Sequence, residues 1–164
     1  MPAKPVITNN TPLVALWTLG RLALLHELFG DVWAPQAVCD EFLAAEPALR
    51  QATLESSPWL QCVTIPNPQH VAVYIGLDQG EAEVLALAEA HPPRLVIIDE
   101  LRGRRYAQRL GLPLTGTLGI LLLAKERGLI PAVAPLVQEL LDAGLYLSPE
   151  LVAQVLDMAD EGHG

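Results

Sequence analysis

The chain has 164 residues, 51% apolar, 5% aromatic and 18% charged, with a formal charge of −9. That length predicts one domain that buries roughly two thirds of its unfolded surface without needing disulfides, and the composition excludes disorder in favour of an aliphatic core. The acidic balance argues against a protein that coats nucleic acid by bulk attraction, but not against a nuclease whose negative charge surrounds a cation.

Val6-Ile7-Thr8 is a β-branched run that predicts a short buried strand. Asn9-Asn10 end it, and Thr11 as N-cap with Pro12 at the first helical position predicts a helix start. Apolar residues from Leu13 to Phe29 recur at helical spacing, interrupted near Gly20, so two helices are expected, with Gly30 as a stop. Val32-Trp33-Ala34 predicts a second strand, Pro35 opens a helix through Val38, Phe42 and Leu43, and residues 46 to 57 predict a further short helix. Gln61 to Ile65 alternate as an edge strand does, and Pro66 and Pro68 punctuate them. Asp78-Gln79-Gly80-Glu81 opens a helix to about Ala90. Leu95-Val96-Ile97-Ile98 is apolar on both faces, the pattern of a central parallel strand. A helix from about Leu101 to Leu110 follows, then a short strand in Gly111 to Thr115 and a helix from Thr117 to about Arg127. Pro131 predicts the start of a helix to about Ala143, and Ser148-Pro149 caps a last one from Glu150 to about Ala159, within a C-terminal helical segment of about 148–161.

Strands alternating with helices predict an α/β fold: three layers, α/β/α, around a doubly wound, mainly parallel sheet of about four or five strands. Residues 1–164 are expected to form a single domain. No stretch reaches the ~18 apolar residues of a membrane span, and Met1 to Pro5 lack the apolar run of a signal peptide. Cys39 and Cys62 match no metal-ligand spacing; a disulfide between them is possible but not needed, and they are read as buried thiols of a cytoplasmic protein. The four histidines, His26, His70, His91 and His163, have no ligand spacing.

Such sheets place ligands at the carboxyl ends of their strands. Asn9 follows the first strand; Asp99, with Glu100 beside it, follows the apolar one. Glu41 and Glu81 sit near helix starts. Like charges in a cleft repel, and a divalent cation removes the penalty; hard oxygen donors suit Mg²⁺ or Mn²⁺. Plainer roles stay open for each: Glu81 as part of a capping-box-like start, Glu41 as a solvated face, Asp99 as a cap, Asn9 as a turn residue. Glu83 and Glu100 read as accessory or exposed. Arg102, Arg105 and Arg109 fall along one helix face and suit RNA phosphate contacts, or a solvated face paired with surplus acids. Gly116-Thr117 at a helix start suits an anion contact or plain capping.

Four passages resemble the PIN-domain family, which includes toxin ribonucleases of toxin–antitoxin pairs, the VapC type. Val6 to Leu13 is similar to its first strand and Asp-x-Ser/Thr-Pro-Leu turn, with Asn9 where the family usually has Asp. Val32 to Glu41 is similar to the second strand and the helix bearing an acid; Gly80 to Ala88 resembles the helix carrying the third acid; Leu95 to Glu100 resembles the strand ending in the fourth. Leu114 to Leu121 is similar to a toxin-like subgroup. The resemblance implies a PIN-like fold and a metal-dependent endoribonuclease with RNA as substrate. It further implies Mg²⁺ or Mn²⁺ as cofactor, an antitoxin protein as partner and a homodimer. It implies Asn9, Glu41, Glu81 and Asp99 as metal ligands, the three acids also being catalytic. Thr8 or Thr11 would supply a neighbouring hydroxyl, with Glu83, Glu100 and Thr117 accessory. Asn9 brings no charge, so a catalytically weakened binding module is the alternative. A phosphoacceptor domain would need a lysine near the cleft, and neither Lys4 nor Lys125 sits at a clear strand end facing it.

Overall fold

A computed structural model describes residues 4–162. Met1–Ala3, part of the segment read for a signal peptide, and His163 lie outside the described residues. Three apolar, β-branched or Leu-rich runs form the middle of the sheet. β1 (Val6–Thr8) pairs on one side with β2 (Val32–Pro35) and on the other with β4 (Leu95–Ile97). β3 (Leu60–Val63) adds to β2 and β5 (Leu114–Thr115) to β4, giving the order β3-β2-β1-β4-β5 with every pair parallel. β1 is therefore the central strand. β4, expected there, is interior but one place to the side. Val6, Ile7, Val96 and Ile97 have no exposed surface, which is why these strands are apolar on both faces.

Nine helices surround the sheet among the described residues. The first two are α1 (Asn10–Thr18) and α2 (Leu24–Phe29), separated near Gly20 as expected. α3 (Gln36–Leu43) and α4 (Pro47–Glu55) follow β2. α5 (Gln79–Ala90) precedes β4, and α6 (Leu101–Arg109) joins β4 to β5. α7 (Thr117–Glu126), α8 (Ala134–Asp142) and α9 (Pro149–Met158) complete the chain. α5 packs on β1 and β2 with α3 and α6 beside it, and α7 packs with α1, α2 and α9, which makes three layers. No helix among the described residues is long and apolar enough to cross a membrane.

Four local expectations are corrected. α1 begins at Asn10, ahead of Thr11, because the Asn9 N–H is still bonded to Ile97 O (2.9 Å) and the chain turns immediately after. α8 begins at Ala134, not Pro131: the Glu161 carboxylate accepts from Val133 N and Ala134 N (2.8 and 2.9 Å) and fixes the first turn there. A 3-10 helix, Pro68–Val73, occupies a stretch read only as punctuated, with Asn67 accepting from Gln69 N (3.1 Å). Cys39 and Cys62 are not two buried thiols. α3 lies beside β3, their Cα atoms are 6.2 Å apart, and the two form a disulfide across 23 residues; Cys62 is exposed.

Candidate active site

The strand order decides where the site is. The chain lays β1, β2 and β3 toward one edge, then returns to place β4 and β5 on the other side of β1. The crevice of such a sheet opens where the order reverses, between β1 and β4, beyond their carboxyl ends. Asn9 leaves β1 there, and Asp99 and Glu100 leave β4. α3 and α5 carry Glu41 and Glu81 to the same place.

Glycines measure how tightly these segments meet. A Cβ added at Gly80, in the first turn of α5, would lie 2.5 Å from Glu41 Oε1 and 3.5 Å from Asn9 Oδ1. One added at Gly103, in α6, would lie 3.1 Å from Glu81 Oε2 and 3.0 Å from Ile98 Cγ2. Both contacts are tighter than side chains ordinarily tolerate, so the glycines make room for carboxylates. Asn9 Nδ2 donates to Glu100 Oε2 (3.0 Å), and the Thr11 hydroxyl donates to Glu100 Oε1. Glu41 and Asn9 thus meet beside Gly80, Asn9 holds Glu100, and Glu81 points to Gly103, with Asp78 at the rim accepting from Glu81 N (2.8 Å).

The electrostatics are those of carboxylates lacking a counter-charge. Glu81 is 7% exposed, and its Oε2 is buried without a hydrogen-bond partner. Burial, then the hydrogen bond and charge of Asp78, and then Glu100, push its carboxyl up to about 7. Burial also raises Glu41, with further increments from the Asp78 and Glu100 charges, against a downward pull from the Asn10 amide. The three ion pairs among the described residues, Arg50–Glu46, His70–Glu89 and Lys125–Glu161, all involve other groups. Hard oxygen donors without a cation, one of them an orphaned buried oxygen, fit a divalent ion of the Mg²⁺ or Mn²⁺ kind. Among the described residues, no three His, Cys, Asp or Glu side chains already stand together at metal-holding geometry.

Asp99 and Glu100, adjacent in sequence, diverge. Asp99 accepts from Thr117 N (2.8 Å) and Thr117 Oγ1 (2.6 Å), so it closes the N-terminus of α7 from another element. A Cβ at Gly116 would collide with Asp99 Oδ1. Burial raises the Asp99 carboxyl, while the Thr117 bonds pull it down. The anion position that Gly116-Thr117 suggested is therefore filled by Asp99. Glu100, read as accessory or exposed, is half-buried and bonded to both Asn9 and Thr11.

The remaining candidates separate. Glu83 accepts from Ala37 N (3.0 Å) and Gln79 Nε2 (2.7 Å), and so supplies the acceptor that α3 lacks at its start. Buried Thr8 turns its hydroxyl onto Asn9 O (3.0 Å). Arg102, Arg105 and Arg109 are exposed and line a small groove of about 280 Å³ with Ile75, Gly76 and Tyr106; Arg102 donates to Gly76 O (3.1 Å), and Arg109 stacks on Tyr106. The arginine that reaches the crevice is Arg104, which the sequence reading passed over. It donates to Ile98 O (2.8 Å) and stands next to Asp99 and Gly116. The helical period carried that signal: buried Gly103 and Ala107 mark the inner face of α6, and Arg104 lies beside them.

Compared with known families, the chain matches a family model described as a PIN domain over residues 5–161. With its parallel sheet and its acids at the strand ends, the chain belongs to the PIN-domain family. PIN domains have a nuclease-like fold and generally depend on a divalent metal. No curated protein matches this chain.

Proposed function

We propose that the protein is a metal-dependent endoribonuclease, the cytoplasmic toxin of a VapC-type toxin–antitoxin pair and, by family expectation, a homodimer that binds an antitoxin. The observation that carries the reading is an acidic cluster without a basic partner: Glu41 and Asn9 meet beside Gly80, Asn9 is bonded to Glu100, and the Glu100 charge acts on both Glu41 and Glu81. These side chains would hold Mg²⁺ or Mn²⁺, with Asp99 at their flank. A divalent ion in such a site supplies Lewis-acid charge at phosphorus and a more acidic water. Glu100 is oriented for this by two donors, Asn9 and Thr11. Without a cation, burial and neighbouring acids raise the Glu81 carboxyl, and its Oε2 has no hydrogen-bond partner; a divalent ion would stabilise its charged form and take that oxygen as a ligand. Asp99 ties the start of α7 to the end of β4 through Thr117.

The test is cleavage of RNA in Mn²⁺ or Mg²⁺. Glu41→Gln and Glu81→Gln should each lower the rate by about 100-fold or more, and chelator should abolish it; brisk cleavage in excess chelator defeats the proposal. One observation favours a second reading, a weakened binding module: at Asn9 an amide N–H, not a carboxylate, meets Glu100. On that reading Asn9→Asp raises both Mn²⁺ affinity and rate. Equal cleavage by the unaltered chain and Asn9→Asp would rule it out.

A further inference from the structure

A cavity of about 660 Å³ adjoins the acid cluster. Thr11, Asp99, Glu100, Arg104 and Thr117 make its polar end; its body is apolar, from Leu118 of α7, Leu151 of α9 and the loop Leu145–Ser148. Tyr146 stands at the rim, 86% exposed, and Leu101 opposite is 63% exposed. Gly144, at φ +91°, turns the chain out of α8 and presents that loop.

We propose that this cavity is a nucleoside subsite, in which the RNA residue next to the scissile phosphate places its base against Tyr146. The inference rests on the ribonuclease reading and names how that site would grip its substrate. Three features support it. Thr11 and Glu100 belong both to the acid cluster and to the cavity wall, so an occupant is continuous with whatever lies at the cluster. The volume falls in the range of small-molecule pockets and accommodates one nucleotide. The charge pattern suits a single nucleotide and not a run of backbone. Arg104 is the one cation of the lining, and its hydrogen bond among the described residues goes to Ile98 O, leaving guanidinium N–H groups for one phosphate or a base edge. Asp99 and Glu100 offer acceptors for an exocyclic amine, and the Tyr146 ring, without an aromatic or hydrogen-bond partner among the described residues and beside aliphatic walls, is the platform on which a base stacks.

Two measurements test it. In chelator, adenosine 5′-monophosphate and uridine 5′-monophosphate are titrated into the ¹⁵N-labelled protein. Amide shifts are expected at Leu145–Leu147, Leu118 and Arg104, lost in Tyr146→Ala and restored in Tyr146→Phe, since stacking needs the ring and not the hydroxyl. In Mn²⁺, Tyr146→Ala should raise KM for a short RNA by about 10-fold with kcat changed far less. If Glu81→Gln abolishes cleavage but the monophosphates leave those amides unmoved and Tyr146→Ala leaves KM unchanged, the subsite is wrong and the ribonuclease reading stands. If no RNA is cleaved but the monophosphates bind there and Tyr146→Ala releases them, the subsite stands and the ribonuclease reading is wrong. If Tyr146→Ala instead turns a dimer into a monomer in sedimentation, with no nucleotide shifts, the face is a subunit contact and the inference falls.

Discussion

At Glu81, folding works against ionisation. Its carboxyl ionises near 4.5 in the unfolded chain and near 7 in the folded one. Between those values the folded state holds a proton that the unfolded state has released, so the Glu81 contribution falls as pH rises through that window, and the loss is complete above about pH 7. The usual salt-bridged carboxylate, with a lowered folded value, behaves in the opposite sense. Thermal melts in chelator at pH 5 and 7.5 should therefore show a smaller loss of stability in Glu81→Gln than in the unaltered chain. Manganese added at pH 7.5 should raise the melting temperature of the unaltered chain more than that of the variant, because the ion replaces the missing counter-charge. The sequence offered Asn9, Glu41, Glu81 and Asp99 as candidates from strand ends, helix positions and a family resemblance. It could not say where the adjacent Asp99 and Glu100 would point: successive side chains after a strand leave in different directions, and Thr117, in a later element, takes the Asp99 carboxylate while Asn9 and Thr11 take that of Glu100.

Among the elements, α3 carries the most. It holds Glu41, takes the Glu83 carboxylate at its start, and is joined through Cys39 to Cys62 of the edge strand β3. Closing a loop of 23 residues removes freedom from the unfolded chain and should stabilise the fold by about 3 kcal/mol on the chain-entropy view. Cys62 is exposed, so Cys62→Ser removes the link with little loss of packing. Its unfolding free energy in denaturant should fall by about that amount, and the unaltered chain should match it once reduced. A fall well under 1 kcal/mol would show that the reduced chain stays restrained by other contacts. Cysteine spacing could not reveal this pairing, since it depends on α3 and β3 lying side by side. The short 3-10 helix was hidden for a similar reason: Pro66 and Pro68 read as breaks, while Pro68 in fact opens the element.

At the scale of the molecule, a charge of −9 coexists with an arginine-rich α6, and the proposed RNA substrate would meet both. Bulk attraction is absent, so affinity should depend weakly on salt, through a few phosphates only. Arg102, Arg105 and Arg109 ring one small groove. If they follow the RNA backbone, Arg105→Glu with Arg109→Glu should weaken binding to all single-stranded sequences alike and make the slope of log K against log salt shallower by roughly 0.7 per lost contact. An unchanged slope in a filter-binding series would return these side chains to the solvated face. The layered α/β architecture was legible from alternating strand and helix patterns; the order of strands in the sheet was not, and it took the fold to put β1 at the centre. Arg104 was not, because the surrounding arginines gave it no distinction until α6 was seen to turn Gly103 and Ala107 inward.

Gly80 has a consequence of another kind. Removing an acid from the cluster changes shape and field together, so loss of activity in such a variant has two explanations. Gly80→Ala leaves all nineteen acidic residues and the charge of −9 in place, adds a good helix former to α5, and sets one methyl group 2.5 Å from Glu41 Oε1. Its melting temperature should stay near that of the unaltered chain while Mn²⁺ affinity falls, which calorimetry can read directly. A lineage could silence this site by that one methyl, and every acidic residue by which the site is recognised in sequence would still be present.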